Sequence, residues 1–266
     1  MEMLWNGKKA PAWPDGESGL AMSTARKDVH NSDIPAICRA CEARHKGVCG
    51  ALTPEQLTKL NRFTKQHSYH SGHELLSAGE DVHRYSNILR GVVKLSKLLA
   101  DGRQQIVGLQ FAPDFMGRPF REQSNVIADA ATDVRVCSFP KAVLEELVRE
   151  SPQLEHRLHE QTLDELDEAR EWMLTLGRKS AGEKVASFLY LIAAHIDPEL
   201  DVHEGPIQFE LPLKRSDIAD FLGLTIETVS RQITKLRKAG VIEVENNRTV
   251  IVPDLERLRS ACERDD

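Results

Sequence analysis

The sequence predicts an α+β chain in three parts: a β-roll of jelly-roll type, one long dimerisation helix and a C-terminal winged helix-turn-helix. Three observations carry this expectation. Short apolar runs separated by turn formers occupy residues 68–139, an apolar stripe at spacings of four and three runs through 152–176, and two short helical patterns flank Gly223 ahead of two β-rich runs. The expected divisions are a disordered arm over 1–33, a cysteine-bearing segment and β-roll over 34–140, the dimerisation helix over 141–180, and a DNA-binding domain over 181–266.

The chain has 266 residues, with 35 Lys+Arg against 41 Asp+Glu and a formal net charge of −6. A composition 41% hydrophobic and 29% charged is that of a globular protein. No apolar stretch approaches the roughly 18 residues of a membrane span. The first residues lack the apolar core of a signal peptide. The expectation is a cytoplasmic protein with no membrane partner. Residues 1–33 mix Gly, Pro, Ser and scattered charge without periodicity, the texture of a disordered arm, and Met22 offers a second start.

A first helix is signalled at Thr53-Pro54-Glu55-Gln56-Leu57, with Thr53 as N-cap, Pro at the first helical position and Gln three residues after the cap. The β texture follows in Ser86–Leu89, Val92–Leu95, Ile106–Leu109 and Val134–Cys137. Ser71-Gly72, Ala78-Gly79-Glu80-Asp81 and Asp101-Gly102 are the turns between strands. Pro140 ends the strands.

From Pro152 to Leu176 the apolar positions are Leu154, Leu158, Thr162, Leu166, Ala169, Met173 and Leu176. A stripe that narrow on a helix that long reads as the seam of a two-stranded coiled coil, with Leu158, Leu166 and Met173 at the dimer interface. The opposite face is acidic, because residues 141–172 hold ten Asp/Glu against four Lys/Arg. A helix packed on its own domain is the alternative, and the polar majority of the segment weighs against it. A second helix is expected over Ala181–Ala194.

Phe209–Leu213 reads as a strand. Ser216–Leu222 reads as a short helix capped by Ser216 and broken by Gly223, and Thr225 caps a second helix reaching Lys238. Two such helices about a glycine turn form a helix-turn-helix whose second helix is shaped for the DNA major groove. Residues 214–238 hold six Lys/Arg against three Asp/Glu inside an acidic chain, the footprint expected where phosphates are met. Val241–Val244 and Thr249–Val252 flank Glu245-Asn246-Asn247-Arg248 as a wing. Glu227, Ser230 and Arg231 share one helix face. Arg can donate twice to guanine, Glu can accept from cytosine, and Ser can touch thymine. The same spacing suits a surface ion pair worth about 0.3–0.5 kcal/mol.

Five cysteines, three of them at Cys38-x2-Cys41-x7-Cys49, favour metal or redox chemistry over a disulfide framework. Cys137 stands apart near the end of the roll, and Cys262 falls in a polar tail, where a free thiol is expected. His45 reads as a solvated loop residue. His70-x2-His73 reads as two rings pointing apart. No Gly-rich phosphate loop, G-x-S-x-G or H-E-x-x-H occurs, so no enzyme is expected.

The order of β-roll, long helix and winged helix-turn-helix, with Gly223-Leu224-Thr225-Ile226-Glu227-Thr228-Val229-Ser230-Arg231, resembles the superfamily of the cyclic-AMP receptor and the fumarate-nitrate-reduction regulators, from about Cys38 to Leu258. The resemblance implies a cyclic-nucleotide-binding-like roll. Ile226 and Ser230 side with the fumarate-nitrate branch, which implies binding as a homodimer to TTGAT-like palindromic sites in double-stranded DNA, with RNA polymerase as a further partner. The cysteine spacing is similar to that of nitrogen-fixation regulators of the FnrN and FixK type, and implies an oxygen-labile [4Fe–4S] cluster on Cys38, Cys41, Cys49 and Cys137. Four thiolates suit such a cluster. By spacing alone they suit a structural zinc equally well, and thiol redox chemistry stays open. Cyclic-nucleotide binding is not expected, because the Arg-Ser pair of the receptor branch is missing from Glu122–Ala128, although Arg118 or Arg121 stands ready as a substitute guanidinium.

Overall fold

The structure, a computed structural model, describes residues 34–39, 41–196 and 205–263. The arm expected over 1–33 lies outside them, as does Pro198 in the expected loop. The cysteine segment is a chain of short turns: α1 (Ala36–Arg39), α2 (Glu42–Lys46) and a 3-10 turn over Val48–Ala51. α3 (Pro54–Asn61) then starts as expected, with a reciprocal cap. Thr53 N donates to Gln56 Oε1 at 3.0 Å and Gln56 N to Thr53 Oγ1 at 3.3 Å.

The roll follows as β1 (Lys65–Tyr69), β2 (Glu74–Leu76), β3 (Arg84–Arg90), β4 (Val93–Leu98), β5 (Gln104–Gln110), β6 (Phe115–Met116), β7 (Ile127–Ala130) and β8 (Val134–Pro140). These form two four-stranded antiparallel sheets, ordered β1-β8-β3-β6 and β2-β7-β4-β5. Ile88, Val93, Ala128, Ala130, Val134 and Val136 are buried together inside the roll. The apolar runs seen in the sequence lie in β3, β4, β5 and β8. The roll begins slightly earlier than expected, at Lys65.

Segment 141–180 contains two helices, α4 (Lys141–Glu150) and the long α5 (Pro152–Arg178), separated at Ser151. Ser151 Oγ accepts from Leu154 N, and Pro152 cannot continue the preceding helix. The C-terminal domain comprises α6 (Ala181–His195), β9 (Ile207–Glu210), α7 (Arg215–Leu222), α8 (Ile226–Lys238), β10 (Glu243–Glu245), β11 (Thr249–Val252) and α9 (Leu255–Ser260). Its three-stranded sheet is ordered β10-β11-β9. The fold class expected from the sequence is the one observed.

Three details correct the sequence reading. The N-cap of α7 is Lys214, with no side-chain cap bond, so Ser216 lies inside the helix. Leu211 and Leu213 are buried past the end of β9 rather than in a strand reaching residue 213. Cys262 is a free thiol, as expected, but not one of a polar tail. It is buried in the core of the C-terminal domain, where Sγ donates to Leu258 O at 3.3 Å; α9 folds the tail back and closes that core.

The roll and the C-terminal domain touch directly. Gln105 Nε2 of β5 donates to the carbonyls of Asp220 and Phe221, at 2.6 and 3.3 Å. Trp172 of α5 packs on Phe221 with ring centroids 4.5 Å apart. Among the described residues, no helix is long and apolar enough to cross a membrane.

Candidate functional site

The reading surface is built by local chemistry. Gly223 closes α7 in the left-handed region at φ 61°, a conformation cheap only for glycine. Thr225 Oγ1 then accepts from Thr228 N at 3.2 Å and starts α8. Val229, Gln232 and Ile233 face inward, which leaves Glu227, Ser230 and Arg231 exposed on the opposite side. Glu227 lies in the first turn, where the helix amide N–H groups and the Thr225 hydroxyl hold its carboxyl below the usual range. Lys235, Arg237 and Lys238 continue the exposed face at the far end.

A further candidate contact stands beside these residues. Ile226 is 48% exposed at the first position of α8, beside Glu227. An apolar side chain left in solvent at the tip of a recognition helix suits a thymine methyl. The signal for it in the sequence is its position immediately before Glu227. The wing turns through Asn246 and Asn247, both with positive φ, as a two-residue hairpin requires. Arg215 reaches from α7 toward the wing, with Nη2 3.5 Å from Asn247 O.

The second site gathers the cysteines. Cys38, Cys41, Cys49 and Cys137 are all part-buried. Each of the four thiols interacts electrostatically with the other three. The segment that carries the first three is seated by Ile34, Val48 and Leu52, which share one core with Tyr85 and Phe139 of the roll, Leu144 of α4 and Leu154 of α5. Cys137 comes from β8, where Asn87 of β3 is its cross-strand partner. Asn87 Nδ2 in turn donates to Cys49 Sγ at 3.2 Å. Burial, reinforced by the neighbouring thiols, pushes Cys49 and Cys137 up to about 12 and raises Cys38. Arg44 acts on Cys38 in the opposite direction. These groups are therefore neutral thiols at pH 7. Among the described residues, no three His, Cys, Asp or Glu side chains stand at single-ion spacing.

His45 is exposed, as expected, with Nε2 3.3 Å from Arg44 Nη2. His70 and His73 part company: His70 Nδ1 lies 3.5 Å from Asp133, whereas His73 stacks on Tyr69 at 4.8 Å.

The expected dimer residues divide. Leu154 and Leu158 turn into their own chain, the first fully buried and the second packed against the same core. Leu166 is 44% exposed and Met173 is 73% exposed, and Leu163, Leu174 and Leu176 extend the exposed apolar row. On the roll side, Glu165 of α5 interacts with Asp114 and Arg118, and partial loss of hydration together with the charges of Asp114 and Glu168 pushes Glu165 up to about 7. Arg118, the substitute guanidinium of the sequence, thus faces Glu165.

Residues 66–151 match the cyclic nucleotide-binding domain family, and residues 183–261 match the Crp-like helix-turn-helix domain. A probable transcriptional activator of Rhizobium leguminosarum bv. viciae is 54% identical over 237 residues, covering 89% of this chain and 98% of the relative. The transcriptional activator protein FnrL of Cereibacter sphaeroides is 43% identical, covering 85% and 93%. The structure of FixK2 from Bradyrhizobium japonicum superposes with a TM-score of 0.67 at 31% identity, covering 76% of this chain and 99% of that one. These relatives are regulators and not enzymes. With the roll, the helix-turn-helix and the relatives in agreement, the chain belongs to the Crp/Fnr family of DNA-binding transcription regulators.

Proposed function

We propose that the protein is an oxygen-responsive transcription activator of the FNR and FixK type, which binds TTGAT-like palindromes as a homodimer when a [4Fe–4S] cluster is held by Cys38, Cys41, Cys49 and Cys137. The observation that carries this reading is the meeting of four thiols from the N-terminal segment and β8, each within electrostatic reach of the others. The donor set fits the group: four sulfurs, partial burial and a hydrogen bond to one of them. When bound, the cluster supplies an oxygen-labile redox centre.

The chain does the rest. Ligation pins the cysteine segment on β8, and that segment abuts the start of α5. Arg157 of α5 donates to the Lys46 carbonyl, and Val48 is buried in the core that holds Leu154. Pinning therefore steadies the first turns of α5, which carries the exposed row Leu163, Leu166 and Met173. A second copy covering that row in an isologous interface sets two α8 helices about one DNA turn apart. RNA polymerase is the downstream partner of such an activator. Asp114, Glu165 and Glu168 cluster on the side of Arg118, the guanidinium that a nucleotide phosphate would need, which argues against a cyclic nucleotide as effector.

The experiment is metal analysis of protein purified without oxygen. Each chain is expected to hold about four iron and four sulfide, and serine at any of the four cysteines to remove them. Cys262→Ser, in a different core, is expected to keep them. Stoichiometric zinc without sulfide would overturn the cluster and favour a structural metal.

A further inference from the structure

Asn87 is a buried polar residue whose side-chain carbonyl the fold leaves unpaired among the described residues. It sits in β3 opposite Cys137 of β8 and is 4% exposed. The side chain makes one hydrogen bond, from Nδ2 to Cys49 Sγ at 3.2 Å. Its Oδ1 is buried and has no hydrogen-bond partner among the described residues. A buried carbonyl without a partner carries the full penalty of its lost hydration. For folding alone, a leucine of similar size and branching would serve this position better.

The neighbouring strand residue shows what a satisfied polar pair looks like on the same ladder. Ser86 and Ser138, also directly opposed, close on each other at 2.6 Å. The amide of Asn87 instead spends its donor on a sulfur that belongs to the four-cysteine site.

The geometry points to Asn87 as a positioning residue of that site, holding Cys49 through its amide N–H and drawing charge from the sulfur once it is ligated. The inference rests on the reading of the four cysteines as ligands. A bond donated to an ionised sulfur is stronger than one donated to a neutral thiol, so the contact strengthens on ligation. Partners that orient and tune a ligand govern metal retention, and hydrogen bonds to sulfur are among the factors that set a cluster's reduction potential. A donor favours the reduced, more negative state, so its removal lowers the potential.

The test compares wild type with Asn87→Leu, both purified without oxygen, and also with their metal removed. Metal-free Asn87→Leu is expected to unfold at the same temperature as metal-free wild type or a higher one, because the orphaned carbonyl is gone. Its iron is expected to be held about 10- to 100-fold less tightly against a chelator, and its midpoint potential to fall. Asn87→Ala, which needs no new space, is expected to show the same losses of iron retention and potential. A loaded wild type beside loaded variants with unchanged retention and potential would overturn the role of Asn87 and leave the cluster reading intact. A wild type without iron or sulfide would overturn both. Metal-free Asn87→Leu that unfolds well below metal-free wild type would make Asn87 a folding residue and overturn the inference; Asn87→Ala leaves a cavity and is read for iron retention and potential alone.

Discussion

Arg231→Ala is expected to cost about 1–3 kcal/mol per half-site and to flatten discrimination at one base pair of each half-site, because the lost group is a two-bond donor to guanine. Arg231 is exposed on the side of α8 away from Val229 and Ile233, one turn behind Glu227, whose carboxyl is kept ionised by the helix start. Base contact and phosphate attraction separate by salt. Lys235 and Lys238 lie further along the same helix, and removing either is expected to weaken all sequences about equally, lowering the salt slope by about one unit per contact. Fluorescence anisotropy on specific and scrambled duplexes at several salt concentrations measures both. Equal loss on the two duplexes for Arg231→Ala would reassign it to a phosphate.

Leu166→Glu is expected to leave the loaded protein a monomer in sedimentation, and with it to remove high-affinity operator binding. Leu166 stands in solvent on a helix whose only buried side chains are Leu154 and Thr175. A carboxylate there meets its symmetry mate across a two-fold axis, so each copy buries a charge against a like charge. The helix itself tolerates the change, since Glu is a good helix former and the side chain touches no core of its own chain. Leu158→Glu is a contrasting variant. Its side chain packs against its own core, so it is expected to lower the unfolding temperature as well.

The legible parts of this protein are those governed by residues close in sequence. Thr53 with Gln56, Gly223 with Thr225, and the Asn246-Asn247 turn each make their structure with neighbours, and each was readable. Strands β1 and β2 were harder. β1 is Lys-Gln-His-Ser-Tyr with four exposed side chains, and it exists because β8 offers it an edge. The stripe on α5 was right in period, but its first turns are claimed by the chain's own core, which only the docked cysteine segment reveals. The grouping of the fourth cysteine with the other three depends on the order β1-β8-β3, which sets Cys137 beside Asn87 and so beside Cys49. No spacing in the sequence states that. Cys262 misled for the opposite reason: polar neighbours on α9 hid one inward-facing position.

If ligation of the four cysteines governs DNA binding through α5, losing the cluster releases the operator. Anaerobic protein is mixed with a labelled TTGAT palindrome, and air is admitted while cluster absorbance and anisotropy are followed in the same cuvette. Operator affinity is expected to fall as the absorbance is lost, and the released protein to sediment as a monomer. Operator affinity that persists after the absorbance has gone would contradict it.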